Sequence, residues 1–199
     1  MTAIEGIDGA LRVSRGESVI VHGASGGVGS IALQLAKWRG ARVLATADGR
    51  AGVAFVHRLG ADEAVDGNRA DLAEIAKRFA PGGVDAVLAT GGGPGLTACL
   101  DGVRKGGRVA WPNGVEPAPR KRAGLRMKAY DAKEGARELE KLTRAIEASR
   151  LRVPIAAPYP LARAADAHRR LEKGHVFGKI VLRIRELPGG VRKVLNSRT

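Results

Sequence analysis

Apolar and polar positions along this chain switch repeatedly between two patterns, a short continuous apolar run and an apolar face at helical spacing. "ESVIVHG" is an apolar run closed by glycine, the pattern of a strand buried on both faces. "GSIALQLAKWRG" follows with Ile31, Leu35 and Trp38 at helical spacing. "ARVLATA" predicts a second strand, and residues 50–59 a second helix with Val53, Val56 and Leu59 on one face. "ADEAVD" predicts a short third strand. "DLAEIAKRF" predicts a helix capped by Asp71, with Glu74 three residues on at capping-box spacing. "GVDAVLAT" then reads as a strand, "PGLTACLDGVRKG" as a helix and "GRVAWPNG" as another strand. This alternation predicts an α/β fold, a doubly wound parallel sheet of about six strands with helices on both faces.

Beyond Asn113 the rhythm changes. "GVEPAPRKRAG" is a basic, proline-rich loop, and "LRMKAY" alternates as an edge strand would. "DAKEGARELEKLTRAIEASR" predicts a helix capped by Asp131, with Glu134 three residues on and Leu139, Leu142 and Ile146 facing inward. "YPLARAADAHRRLEKG" predicts a further helix and "GKIVLRI" a final strand. These elements make one domain over residues 1–185, followed by a basic, frayed tail over 186–199. There is no internal repeat.

The glycines between the first strand and first helix carry the candidate chemistry. A helix N-terminus offers unpaired N–H groups and the positive end of a macrodipole. A diphosphate can rest there only where no side chain intervenes. In the loop Ala24, Ser25, Gly26, Gly27, Val28, Gly29, the three glycines leave that space and allow helix and strand to pack closely. No Lys-Ser or Lys-Thr follows them, so this is not a nucleotide-triphosphate loop. A dinucleotide without a 2′-phosphate meets an acid at the end of the second strand. Here Ala47 holds that position, then Asp48, with Arg50 beyond. A small residue and a nearby arginine suit a 2′-phosphate, which favours NADP(H) over NAD(H), while Asp48 pulls the other way.

Charge adds an asymmetry. The 199 residues carry a formal net charge of +14. Residues 1–100 balance ten basic against ten acidic side chains, so the whole excess lies in the second half. Aromatic residues are only 4% of the chain, too few to offer stacking platforms, which argues against a nucleic-acid role. No apolar run reaches membrane-spanning length, and the first residues lack the pattern of a secretory signal. A cytoplasmic location is expected. Cys99 is the single cysteine, so neither an internal disulfide nor a cysteine-rich zinc site is expected. His22, His57, His168 and His175 show no paired ligand spacing. No nucleophile–base set stands out, and no catalytic side chain is named by the sequence.

The stretches "GESVIVHGASGGVGSIALQLAKWRGARVLATADG", "FVHRLGADEAVD", "GGVDAVLATGGG", "VRKGGRVAWPNG" and "PLARAADAHRRLEKGHVFGKIVLRI" together resemble the cofactor-binding domain of medium-chain dehydrogenases/reductases, in the zinc-free quinone oxidoreductase branch. The resemblance implies a Rossmann-type sheet with NADPH across its carboxyl edge. It implies hydride transfer to a quinone or an α,β-unsaturated carbonyl, without zinc. It places the loop from Ala24 to Gly29 at the diphosphate and Ala47 to Arg50 at the adenosine ribose. It places Thr90, Gly91, Gly92, Asn113 and Gly114 on the nicotinamide side, and Lys179 near the diphosphate. It makes "LRMKAY", near Leu125–Tyr130, the edge that pairs two subunits into a homodimer. Members of that family also have a barrel-like domain ahead of this region that supplies most of the substrate pocket. The expectation is that it is absent here, which leaves the final strand to dock elsewhere, pair with a neighbour or stay exposed. A non-catalytic NADPH-binding module, sensing redox state or binding a partner, is the alternative.

Overall fold

The apolar runs line up as one parallel sheet. In a computed structural model, residues 1–69 and 71–184 are described. The sheet holds β1 (Ser18–His22), β2 (Arg42–Ala47), β3 (Glu63–Asp66), β4 (Val84–Ala89), β5 (Val103–Pro112) and β6 (Arg126–Tyr130) in the order β3-β2-β1-β4-β5-β6. All five pairings are parallel. The order reverses direction between β1 and β4, and ligands of such sheets bind outside the carboxyl ends of the strands at that point.

Alternation along the strands builds a core on each face. Val19, Val21, Val43, Ala45 and Leu88 face α2 (Gly29–Trp38) and α3 (Gly49–Arg58), meeting Leu33, Leu35 and Val56. Ile20, Leu44, Val87 and Val109 face α4 (Leu72–Phe79) and α5 (Pro94–Asp101), meeting Leu72, Ile75, Leu96 and Cys99. An N-terminal helix the sequence reading did not assign, α1 (Thr2–Ile4, continuing as a wider turn over Glu5–Ala10), seals the first of these layers with Ile4 and Ile7. Its glycines are set by packing: a Cβ on Gly6 would collide with the Tyr130 hydroxyl and Leu88.

Four local expectations are corrected. The helix over "PGLTACLDGVRKG" stops at Asp101, and Val103 already pairs with Val84 in β5. The register then jumps from Val84/Val103 to Ala86/Arg108, so residues 104–107 bulge out of the ladder with Gly106 at φ +76°. Asp71 stands at the start of α4 but makes no capping bond, because Arg69 Nε and Nη2 hold its two oxygens at 2.7 Å. Asp131 does not cap α6 (Ala136–Ser149), which starts after Gly135; its carboxylate accepts from Asn113 Nδ2 at 2.7 Å. In α6, Leu142 packs on the core and Ala145 is buried, but Leu139 and Ile146, expected to face inward, are exposed, because the helix lies at the periphery and touches mainly α2.

The final strand finds a partner within the chain. β7 (Ile155–Pro160), α7 (Ala164–Glu172) and β8 (Lys179–Arg183) form a second parallel sheet of two strands, with Tyr159 beside Leu182. Val153, Leu161, Leu171, Leu182 and Ile184 around this unit stay exposed. The tail expected from residue 186 onward lies outside the described residues.

Candidate functional site

The carboxyl ends of β1 to β4 frame a crevice of about 200 Å³. His22, Gly23 and Ser25 border it from β1, Thr46, Ala47 and Asp48 from β2, Gly67 and Asn68 from β3, and Gly91 and Gly92 from β4. Pro94 and Gly95, in the first turn of α5, complete the wall. A Cβ on Gly95 would run into the Gly67 carbonyl, so that glycine is what lets α5 close on the β3 loop.

The glycine loop separates into three jobs. Gly29 is fixed by packing, since a Cβ there would overlap the backbone of Gly23 and Ala24. At Gly26 the nearest heavy atom to a Cβ would be 3.6 Å away, leaving that side clear. Gly27 lies under Lys179, whose Nζ would be 3.3 Å from its Cβ. α2 has no side-chain cap, and the N–H groups of Gly27, Val28 and Gly29 have no backbone partner among the described residues. Three free donors at the positive end of a helix, beside a lysine, form a cradle for a diphosphate. A nicotinamide dinucleotide carries that group, and the residues present fit it.

The cradle is held from both sides. Ala24 N–H donates to the Thr46 carbonyl at 2.8 Å, and Thr90 N–H to the His22 carbonyl at 3.0 Å. Gly178 N–H donates to the Ser25 carbonyl at 2.8 Å, which brings the start of β8 onto the loop. Phe177 stacks on Phe55 with ring centroids 5.4 Å apart and touches the Gly52 position. Lys179 therefore reaches the cradle because a neighbouring aromatic pair anchors its strand. The sequence carried no local signal for Phe177, whose partner is more than a hundred residues away.

His22 is the buried polar group of the crevice. Thr46 Oγ1 accepts the Gly23 N–H at 3.1 Å and lies 2.9 Å from His22 Nδ1. Burial lowers the pKa of His22, and the Gly92 backbone and the Asp48 carboxylate work against that shift.

At the ribose end, Ala47 is buried and closes β2, while Asp48 lines the crevice with Asn68 Nδ2 3.5 Å from its Oδ1. Arg50, in the first turn of α3, is exposed and faces an adjoining groove with His57, Asp66 and Arg69 rather than the crevice itself. Arg69 is taken by Asp71, so Arg50 is the cation left free there among the described residues. On the other side, Thr90 Oγ1 bonds the His22 and Gly23 carbonyls, and the Pro117 segment covers Gly92. Asn113 is tied to β6 through Tyr130 and Asp131, and Gly114 turns beside it at φ +89°; neither lines the crevice.

Among the described residues no group of three or more His, Cys, Asp or Glu is placed to hold a metal ion. Cys99 is buried in α5 with Sγ 3.9 Å from His22 Nδ1, and burial pushes its thiol up to about 12. These residues do not fit a zinc centre. No helix among the described residues is long and apolar enough to cross a membrane.

Comparison with known proteins agrees with this architecture. A sequence model of the family described as "Zinc-binding dehydrogenase" matches residues 59–182, more than half of the chain. Quinone oxidoreductase from Homo sapiens is 30% identical over 182 residues, covering 85% of this chain and 55% of its own length. Among solved structures, an NAD-dependent alcohol dehydrogenase superposes with a TM-score of 0.83 at 31% identity, over 92% of this chain and 56% of its own. A mycobacterial protein complexed with NADPH superposes with a TM-score of 0.79 at 27% identity, over 91% of this chain and 60% of its own. The chain thus spans somewhat more than half the length of these proteins.

Proposed function

Because the chain belongs to the zinc-binding dehydrogenase family, as a cofactor-binding domain of the medium-chain dehydrogenase/reductase superfamily, we propose that it binds NADPH across the crevice and serves the reduction of a quinone or an α,β-unsaturated carbonyl. The relatives are oxidoreductases, and a structural neighbour is complexed with NADPH. The observation that carries the reading is the cradle of Gly27, Val28 and Gly29 with three free N–H donors beside Lys179.

Each part of the chain has a task in this reading. The loop from Ala24 to Gly29 takes the diphosphate, and Lys179 adds a positive charge to it. Arg50 grips the 2′-phosphate from the adjoining groove, and Asp48 meets the ribose. Gly91, open on its Cβ side, lets the nicotinamide lie against the end of β4, while Thr90 and the Pro117 segment over Gly92 fix the loop. When bound, the dihydronicotinamide supplies the hydride. The protein's contribution is orientation and exclusion of water. Two copies pair through the β6 edge, and the protein works in the cytoplasm.

A second reading is favoured by one feature. On the nicotinamide side among the described residues, the Thr90 hydroxyl is committed to the His22 and Gly23 carbonyls and is not free to give a proton to a substrate. That suits a non-catalytic NADPH-binding module. Turnover separates the two: NADPH consumption with 1,4-benzoquinone or 9,10-phenanthrenequinone above the protein-free rate supports the reductase, and saturable binding without consumption supports the module.

A further inference from the structure

We propose that the opposite edge of the sheet, at the amino ends of its strands, carries a second anion site that takes a small phosphate-bearing molecule. Parallel pairing sets Arg108 of β5 beside Arg126 of β6, and Ala110 beside Lys128. Strand alternation puts Arg126 and Lys128 on the same face as Arg108. The segment after α1 adds Arg12, held in a left-handed conformation at φ +52°. These four cations line one groove of about 410 Å³.

Like charges on neighbouring strands at partner positions are destabilising. The structure supplies one carboxylate against four cations: Glu17 Oε1 accepts from Arg108 Nη2 at 2.6 Å. Arg12, Arg126 and Lys128 form no ion pair among the described residues. Three guanidinium nitrogens are left over as well. Arg108 Nε is buried without a hydrogen-bond partner. Arg126 uses only its Nε, on the Gly106 carbonyl at 3.0 Å, so its two terminal nitrogens are free. A groove with uncompensated charge, in which Arg126 presents both terminal nitrogens, matches the planar, bidentate recognition of phosphate oxygens. The glycine cradle follows β1 at the carboxyl edge of the sheet, whereas the groove lies on β5 and β6, so the two sites do not share residues, and the proposal stands whether or not the chain binds NADPH.

The test is equilibrium dialysis of the whole chain against inorganic pyrophosphate, with ionic strength held constant by NaCl. Three variants accompany it: Arg126→Gln/Lys128→Gln and Arg12→Gly in the groove, and Lys179→Gln in the cradle. Glycine suits the left-handed backbone at position 12, so that variant retains the fold. The expected result is a saturable site that weakens by about tenfold or more in both groove variants and persists in Lys179→Gln. The anion-free double variant melts no lower than the wild type, because repulsion has been removed. The absence of saturable pyrophosphate binding, or binding that both groove variants leave unchanged, overturns the proposal.

Discussion

Arg50 and Asp48 stand two positions apart and ask opposite things of an adenosine ribose. Arg50→Ala removes the cation left free in its groove among the described residues. It is expected to weaken NADPH by about one to two orders of magnitude, from roughly 1.5–3 kcal/mol for a charged hydrogen bond, with NADH nearly unchanged in fluorescence titrations. Equal loss for both cofactors would take Arg50 out of the 2′-phosphate role. His22 makes a second prediction, in pH. Burial lowers its pKa, so the unfolded chain takes up a proton at this site before the folded one does. Its contribution to stability is complete above about pH 6.5, declines as the pH falls below that, and levels off once the folded ring also titrates. The decline is at most about 1.4 kcal/mol per pH unit. Urea unfolding at pH 7.5 and 5.5 should show a smaller difference in His22→Asn than in the wild type. An identical difference would assign the effect to other groups.

At the scale of elements, the cradle depends on a strand that does not belong to the main sheet. Phe177 on Phe55 pins the start of β8, and Gly178 and Lys179 then reach the glycine loop. Phe177→Ala should cost about 1–2 kcal/mol of stability, from lost aromatic packing, and should weaken dinucleotide binding although residue 177 touches no ligand. Calorimetric melting and a binding titration check both halves; full affinity in Phe177→Ala would show that Lys179 needs no such anchor. The main sheet was legible because parallel strands covered on both faces read as near-continuous apolar runs, as "VIV" in β1 and "AVLA" in β4 do. The β7 strand was not, because "IAAPYP" holds two prolines, which only an edge tolerates, and both strands of a two-stranded sheet are edges. The N-terminal helix was hidden by Gly6 and Gly9, whose reason is contact with Tyr130, Leu88 and Glu5 rather than local propensity. The glycine loop, flanked by a strand and a helix, was readable as a site. The carboxyl-edge partners Asn68, Pro94 and Gly95 were not, since only the sheet order brings four loops together.

Across the whole molecule, charge and chemistry sit on opposite edges of one sheet. The carboxyl edge gathers glycines and a neutral histidine around a crevice, with Lys179 over the glycine loop, while the amino edge gathers Arg12, Arg108, Arg126 and Lys128. The excess of +14 therefore has a structural address in part, and the rest is spread over solvated faces. Such a charge predicts binding of polyanions that fades as salt rises, a property to be separated from specific dinucleotide binding by working at physiological ionic strength. The most direct measurement is isothermal titration calorimetry of the chain with NADPH and with NADH at that ionic strength. The account predicts saturable binding of one NADPH per chain, tighter than NADH, and lost in Gly27→Val, where a side chain enters the cradle. Failure of both cofactors to bind, or Gly27→Val binding as well as the wild type, would contradict it.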